Sequence, residues 1–120
     1  MKTYRKPARV IDLRESGRVI LAHGETTGHM HEVPAVVIDG ERVPVADYFE
    51  EPETGRRVLL ALTDRPFELR HQEHAPIALD PAHPAQFRQG DVFGMPIGAG
   101  AWEIRRQSEY SPSDIRQIAD

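Results

Sequence analysis

The chain contains no cysteine, and this absence excludes several kinds of site at once. Disulfide bonds, zinc sites with thiolate ligands and cysteine nucleophiles are all ruled out. Any metal site in this protein must therefore use nitrogen and oxygen ligands, which are the side chains of histidine, aspartate and glutamate.

An excess of basic charge and long apolar segments are also missing. The formal net charge at pH 7 is −4, so no overall positive field is available to hold nucleic acid or an anionic membrane surface. The longest apolar runs, such as VILA and VLLAL, are far too short to span a bilayer. The charged N-terminal residues have no apolar run behind them, unlike a secretory signal. We therefore expect a cytoplasmic protein with neither nucleic-acid nor membrane partners.

The composition is that of one folded domain. A chain of 120 residues can build a single core but not two. Apolar residues make up 39% of the chain and charged residues 28%, which indicates a modest core and a polar surface. We treat residues 1–120 as a single domain.

Short apolar runs rich in valine and isoleucine alternate with turn-forming residues along the chain. The runs are ARVIDL, RVILAH, AVVID, RVPVADYF, RVLLAL, PFELRH, DVFGM and WEIRR. Ten prolines and nine glycines interrupt any helical period before the C-terminal residues. The pattern predicts an all-β fold, either a small β-barrel or a sandwich. Asp39-Gly40, between AVVI and ERVPV, predicts a tight β-hairpin turn.

Two stretches depart from this pattern. In SPSDIRQIAD, residues 111–120, Ser111 can cap a helix and Pro112 suits its first position, so we expect a short C-terminal helix over one end of the fold. The stretch LDPAHPAQFRQG, residues 79–90, contains three helix or strand breakers and has no period. We expect it to form a loop or lid.

Three of the six histidines lie in one segment, LAHGETTGHMHEV, residues 21–33. If residues 25–33 are extended, Glu25, Thr27, His29 and His31 share one side, because successive side chains of a strand alternate. Two imidazoles two residues apart on a strand can reach one ion from the same direction. Zinc, iron, manganese and nickel all accept such nitrogen ligands.

A second segment, RHQEHAP, supplies the remaining donors. His71 and His74 are three residues apart, so they share a face only if the strand ends or bulges between them, and Pro76 favours an ending. If the two segments lie side by side, one or both of these histidines complete the site, whereas His83 should face solvent. Glu25 or Glu73, if it does not bind the metal, is the natural general base.

The residues thus predict a divalent-metal site built from His29, His31 and His74, with His71 and Glu25 as further candidate ligands. The metal could act as a Lewis acid on a small-molecule ligand, or it could pin the two segments together. The alternatives also stand. The histidines could simply hydrogen-bond glycine-rich turns, and the protein could be a metal-free interaction module of a bacterial or phage-encoded assembly. A homodimer is compatible with either function.

The first histidine segment resembles half of the metal-binding motif of the cupin family. Cupins pair a motif G-x5-H-x-H-x3-4-E-x6-G with a second motif, G-x5-P-x-G-x2-H-x3-N. His29 and His31 match the H-x-H, and GDVFGMPIG matches the opening of the second motif at Gly90, Pro96 and Gly98. The resemblance implies a cupin-like sandwich with a metal bound to these histidines.

The sequence departs from the cupin pattern at the other ligand positions. Ala101 and Arg105 stand where the second motif has histidine and asparagine, and no glutamate follows the H-x-H at the family's spacing. In a cupin-like protein His71 or His74 would replace the missing histidine, and Glu25 or Glu73 the missing carboxylate. Alternatively, the glycines and proline of GDVFGMPIG mark only a β-turn before the strand AWEIRRQ.

A second resemblance covers more of the chain. HGETTGHMH, HQEHAPI and RRQSEY are similar, in this order, to the HGExTGHxH, HEEHxxI and QREY-type segments of an uncharacterised family of small bacterial histidine-rich proteins. Against that family's compact form, residues 79–97 look like an insertion. The resemblance implies a shared histidine site but no stated activity.

Overall fold

In a computed structural model of the protein, which describes residues 2–23 and 29–107, the described chain forms twelve β-strands and no α-helix. The strands are β1 (Ile11–Asp12), β2 (Val19–His23), β3 (Met30–Val33), β4 (Val36–Ile38), β5 (Glu41–Val43), β6 (Ala46–Glu50), β7 (Arg57–Ala61), β8 (Phe67–Leu69), β9 (Ile77–Leu79), β10 (Phe87–Gln89), β11 (Val92–Gly98) and β12 (Ala101–Arg106). Each apolar run predicted to be extended contains at least part of a strand. The all-β class is therefore confirmed.

Six strands form the main antiparallel sheet, in the order β1-β6-β7-β12-β11-β10. Of the two predicted architectures, the β-barrel is not found among the described residues, because β1 and β10 are the two edges of this sheet and do not pair with each other. The other six strands do not extend the sheet to closure, since they pair off into three two-stranded ribbons.

Two of these ribbons, β2–β3 and β8–β9, lie side by side. Glu32 of β3 and Arg70, just after β8, exchange two backbone hydrogen bonds of 2.9 and 2.8 Å. The hydrophobic core lies between these ribbons and the main sheet, as the buried residues come from both: Val19, Leu21, Val33, Phe67, Leu69 and Leu79 from the ribbons, and Tyr48, Leu59, Phe87, Val92, Trp102 and Ile104 from the sheet.

The third ribbon, β4–β5, is exposed. Its turn residues Asp39 and Gly40 have φ angles of 51° and 81°, which confirms the predicted hairpin turn with positive φ at both positions. Val37 and Ile38 are 69% and 54% exposed. This hairpin therefore presents aliphatic side chains to solvent.

Of the expected loop over residues 79–90, residues 80–86 lie between strands, but residues 87–89 form β10. β10 and β11 form a hairpin in the main sheet, so that between β9 and β11 only residues 80–86 and the two turn residues 90–91 lie outside strands. The pattern concealed this hairpin because β10 has only three residues between a proline-rich stretch and Gly90. The predicted helix at 111–120 lies outside the described residues. No helix in the described part of the chain is long and apolar enough to cross a membrane.

Candidate metal centre

The backbone pairing of Glu32 with Arg70 brings the two histidine segments together, which is the condition that a shared site requires. The backbone N–H of Met30 also donates to Oε1 of Gln72 at 3.0 Å, which fixes the same two segments. The ring centroids of the four histidines of these segments lie close to one another, at 4.3 Å (His31–His71), 4.6 Å (His71–His74), 5.8 Å (His29–His71) and 6.0 Å (His31–His74). We call His29, His31, His71 and His74 the histidine cluster.

The chain leaves the strand between β8 and His74, which is the condition for both histidines of the second segment to join the cluster. β8 ends at Leu69, and no strand follows until Ile77. Within this turn Nδ1 of His71 accepts a hydrogen bond from the backbone N–H of Glu73 at 3.0 Å. A neutral His71 therefore carries its proton on Nε2.

His31 is the buried member of the cluster, with 3% of its surface exposed. Its Nδ1 lies 2.8 Å from Oε1 of Gln89, whose amide Nε2 donates to the carbonyls of Leu69 and Ala75 at 3.2 and 3.0 Å. A flipped Gln89 would place its oxygen against those two carbonyls, so the amide orientation is fixed. Nδ1 of His31 must then donate to Gln89, and the lone pair is left on Nε2.

Nε2 of His31 faces a carboxylate that the sequence did not single out. Oδ1 of Asp91 lies 3.5 Å from Nε2, while Oδ2 of Asp91 accepts a hydrogen bond from Nη2 of Arg106 at 3.1 Å. Burial holds the pKa of His31 below its ordinary value, against the opposing effects of Gln89 and Asp91. In the neutral ring Nε2 carries no proton, so this nitrogen and Oδ1 of Asp91 are both hydrogen-bond acceptors.

Gly90 brings the backbone close to two rings of the cluster. A Cβ at this position would lie 3.0 Å from Nε2 of His74 and 3.4 Å from Nε2 of His31. Its φ of +60° is also a conformation that other residues rarely adopt. Glycine thus keeps open the space that both Nε2 atoms border.

His29 is paired with a carboxylate. Its Nδ1 lies 3.2 Å from Oε1 of Glu73, whose side chain is 64% exposed. Glu73 thus stands beside the ring at ion-pair distance.

Other predicted residues lie apart from the cluster or outside the described chain. Glu25 and Thr27 fall outside the described residues. His83 is exposed, as predicted, and lies 3.4 Å from Asp80. His23 is exposed and contacts Glu15 at 2.8 Å.

The described side chains do not form a complete metal site as they stand. Over residues 2–23 and 29–107, no group of three or more histidine, aspartate or glutamate side chains is arranged to hold an ion. An ion at the histidine cluster therefore requires at least one side chain to turn. His74 is exposed, and its ring has no hydrogen-bond partner in the described part of the chain, so it is free to do so.

The segment GDVFGMPIG has a structural explanation of its own. Gly98 precedes the turn between β11 and β12, and a Cβ there would come within 2.7 Å of the backbone nitrogen of Tyr4. Close packing of the N-terminal segment thus accounts for this glycine, in line with the β-turn interpretation of the motif.

Comparison with known proteins places the chain in one family. No curated protein and no solved structure matches it. A family model described as "Domain of unknown function (DUF8820)" matches residues 2–83, well over half of the chain. All four members of the histidine cluster lie inside the matched range, whereas Gln89 and Asp91 lie beyond it. The chain therefore belongs to the family of this domain of unknown function, DUF8820.

Proposed function

We propose that the protein binds one divalent transition-metal ion, zinc, iron, manganese or nickel, through Nε2 of His31 and Nε2 of His74. The observation that carries the proposal is the hydrogen bond from Nδ1 of His31 to Gln89, which leaves the Nε2 lone pair unused. Metal-binding histidines in proteins almost always donate their other ring N–H to an oxygen acceptor in this way. Gln89 would thus fix the tautomer and the ring orientation of one ligand before the ion arrives.

His74 would supply the adjustable ligand. Its ring is exposed and stacks 6.0 Å from that of His31 with an interplanar angle of 15°. Its Nε2 borders the space above Gly90 that Nε2 of His31 also borders. Rotation about the side-chain bonds of His74 would bring the two nitrogens to one ion without a change in the backbone.

The other two histidines of the cluster, His29 and His71, differ in how readily they could bind the ion. His29 contacts the ring of His71 and its Nδ1 lies near Glu73, so Nε2 is the nitrogen that it could offer to an ion. His71 is the least suitable, because metal binding through Nε2 would require its proton to move and the hydrogen bond from Glu73 to break. In this proposal the resemblance to cupins concerns the H-x-H pair, with His74 in place of the family's missing histidine.

We further propose that the ion acts as a Lewis acid on a small molecule rather than as a structural link. The two histidine segments are already held together by the Glu32–Arg70 backbone pair, so no ion is needed to join them. The cluster also opens to solvent through His74 and Glu73. A bound ion with an open position supplies electrophilic activation of a ligand or of water, and Glu73 would accept a proton there.

Metal analysis of protein purified without a histidine tag tests this proposal. We expect about one equivalent of transition metal in the wild type, and its loss in a His29→Ala/His31→Ala double variant. The matched control is His23→Ala/His83→Ala, which removes the two histidines outside the cluster and should keep the metal. Protein that is metal-free, and whose melting temperature responds neither to divalent ions nor to chelator, would overturn the proposal.

The β4–β5 hairpin favours a second candidate function, that of a metal-free interaction module. Val36, Val37, Ile38 and Val43 are all exposed on this two-stranded ribbon. Isolated two-stranded ribbons are marginal in water, and exposed aliphatic patches mark interaction sites. If this candidate is right, a Val37→Lys/Ile38→Lys variant should abolish association with the partner while the same experiments detect no metal.

A further inference from the structure

We infer that Asp91 is the carboxylate ligand of the proposed ion, so that the centre is a two-histidine, one-aspartate site formed by His31, His74 and Asp91. The inference rests on the proposed function. It names a ligand that neither the histidine motifs nor the family match indicates, and it assigns Arg106 the role of positioning that ligand.

The separation between the two fixed ligand atoms fits one shared ion. Oδ1 of Asp91 lies 3.5 Å from Nε2 of His31. Two ligand atoms that are each about 2.1 Å from a metal lie about 3.0 Å apart at a right angle and about 3.4 Å apart at the tetrahedral angle. The observed gap is close to the tetrahedral value, so little movement of either side chain is needed.

The chemistry of the two atoms suits a cation between them. The Nε2 lone pair of His31 and the Asp91 carboxylate are both acceptors, so a cation placed between them would be attracted by both. A proton or a metal ion could serve. Because Nδ1 of His31 donates to Gln89, a metal ion can take the Nε2 lone pair without displacing a proton from the ring.

Arg106 holds Asp91 in place and restricts how it can bind. Its Nη2 donates to Oδ2 of Asp91 at 3.1 Å and to the backbone carbonyl of His23 at 3.2 Å. The backbone N–H of Gln107 donates to the carbonyl of Asp91 at 3.0 Å, which ties β12 to the same residue. Oδ2 is therefore engaged, and only Oδ1 is available to an ion.

Glu73, the other carboxylate near the histidine cluster, is a weaker candidate for the carboxylate ligand. The side chain of Glu73 is 64% exposed and lies against Nδ1 of His29, whereas that of Asp91 is 38% exposed and lies against Nε2 of the buried His31. Two histidines and one carboxylate with open positions are typical of sites for iron(II) and related ions with a catalytic role.

Titration calorimetry of the untagged full chain with Zn²⁺ tests the inference. We expect Asp91→Asn, which keeps the size of the side chain, to weaken binding by about 100-fold or more. Asp80→Asn is the matched control, because Asp80 is an aspartate of similar exposure that lies outside the cluster beside His83, and it should leave binding unchanged. Asp91→Glu retains a carboxylate, so it should recover part of the lost affinity.

Co²⁺ absorption separates a ligand from a residue that merely supports the fold. Asp91→Asn should change the shape of the cobalt d–d spectrum. Arg106→Gln should weaken binding by about 10-fold yet keep that shape, and Arg106→Lys should restore affinity. If Asp91→Asn binds like the wild type while His31→Ala does not bind, the inference is wrong and the metal site stands. If His31→Ala also binds like the wild type, the proposed function itself is wrong.

Discussion

Two buried polar clusters of this protein differ in whether their hydrogen bonds are complete. The buried polar residues of the described chain are His31, Glu51 and Gln89. Glu51 accepts hydrogen bonds from Nε and Nη2 of Arg56 at 2.8 and 3.1 Å, from Tyr4 at 2.6 Å and from Thr54 at 2.9 Å. Both carboxylate oxygens of Glu51 are thus satisfied by other residues of the chain.

The His31–Gln89 pair begins in the same way but ends differently. Gln89 uses its oxygen and both amide protons in hydrogen bonds within the chain. Nε2 of His31, at the end of this hydrogen-bond network, faces Asp91 and accepts no hydrogen bond from a described residue. A saturated cluster has a structural explanation, since each buried group is paired. The unpaired Nε2 of His31 is the atom that the proposed metal site would use.

Breaking the Glu51 cluster should have the largest effect on stability and none on metal binding. Glu51→Ala leaves Arg56 without its carboxylate and Tyr4 without an acceptor. We expect the free energy of unfolding to fall by about 3 kcal/mol, at the low end for a buried pair because a third of the Arg56 side chain is exposed. Denaturant unfolding measures this, and Glu53→Ala, an exposed neighbour, is the control. A large loss of Zn²⁺ affinity in folded Glu51→Ala would contradict the separation of the two clusters.

Breaking the Gln89 network should affect both stability and metal binding. Gln89→Leu removes the acceptor of His31 and the donor to two backbone carbonyls. We expect a loss of about 2 kcal/mol in the free energy of unfolding and a fall of about 10- to 100-fold in Zn²⁺ affinity. Denaturant unfolding and calorimetry measure the two effects. Unchanged affinity would mean that the orientation of His31 does not matter to the ion.

Acid should destabilise the two clusters in different pH ranges. Burial lowers the pKa of His31 in the folded state, and also that of His71, so the unfolded chain binds protons that the folded chain does not. Stability should therefore decline as the pH falls through about 6.5. The hydrogen bonds from Arg56 are the main reason that the pKa of Glu51 falls from 4.5 to about 2, so its contribution is present above pH 4.5 and is lost between these values.

Acid should therefore cause two separate declines in the free energy of unfolding, and a different variant should remove each decline. His31→Asn, whose amide can still donate to Gln89, should reduce the decline near neutral pH, and Glu51→Gln should remove the decline at lower pH. The free energy of unfolding, measured in chelator from about pH 8 to about pH 3, reports both steps. A decline near neutral pH that His31→Asn leaves intact would show that other groups cause it.

The strands could be predicted from sequence because their signals are local, whereas the meeting of the two histidine segments could only be assumed, because it depends on the pairing of Glu32 with Arg70. Alternation of valine and isoleucine between turns marks strands, and Asp39-Gly40 specifies its own hairpin. Of the residues 25–33 that were expected to be extended, residues 30–33 form β3, and residues 25–28 lie outside the described chain. His31 is accordingly buried, while His29 just before the strand is half-buried.

Gln89 and Asp91 could not be predicted, because their roles depend on pairing between distant parts of the chain. Both belong to the β10–β11 hairpin, which brings them to His31 only when it joins the main sheet. The three residues of β10 are too few for a period to be recognised. The open edges of the main sheet, which the sequence did not predict, likewise depend on non-local pairing.

The central claim is that the chain holds the lone pair of His31 on Nε2 for a metal ion, and the nitrogen resonances of the imidazole rings test it most directly. Long-range ¹H–¹⁵N NMR at about pH 7.5 should find His31 protonated on Nδ1 alone. One equivalent of Zn²⁺ should then shift the Nε2 resonance of His31 and leave the ring of His83 unchanged. A proton on Nε2 of His31, or an Nε2 resonance that does not respond to the ion, would contradict the account.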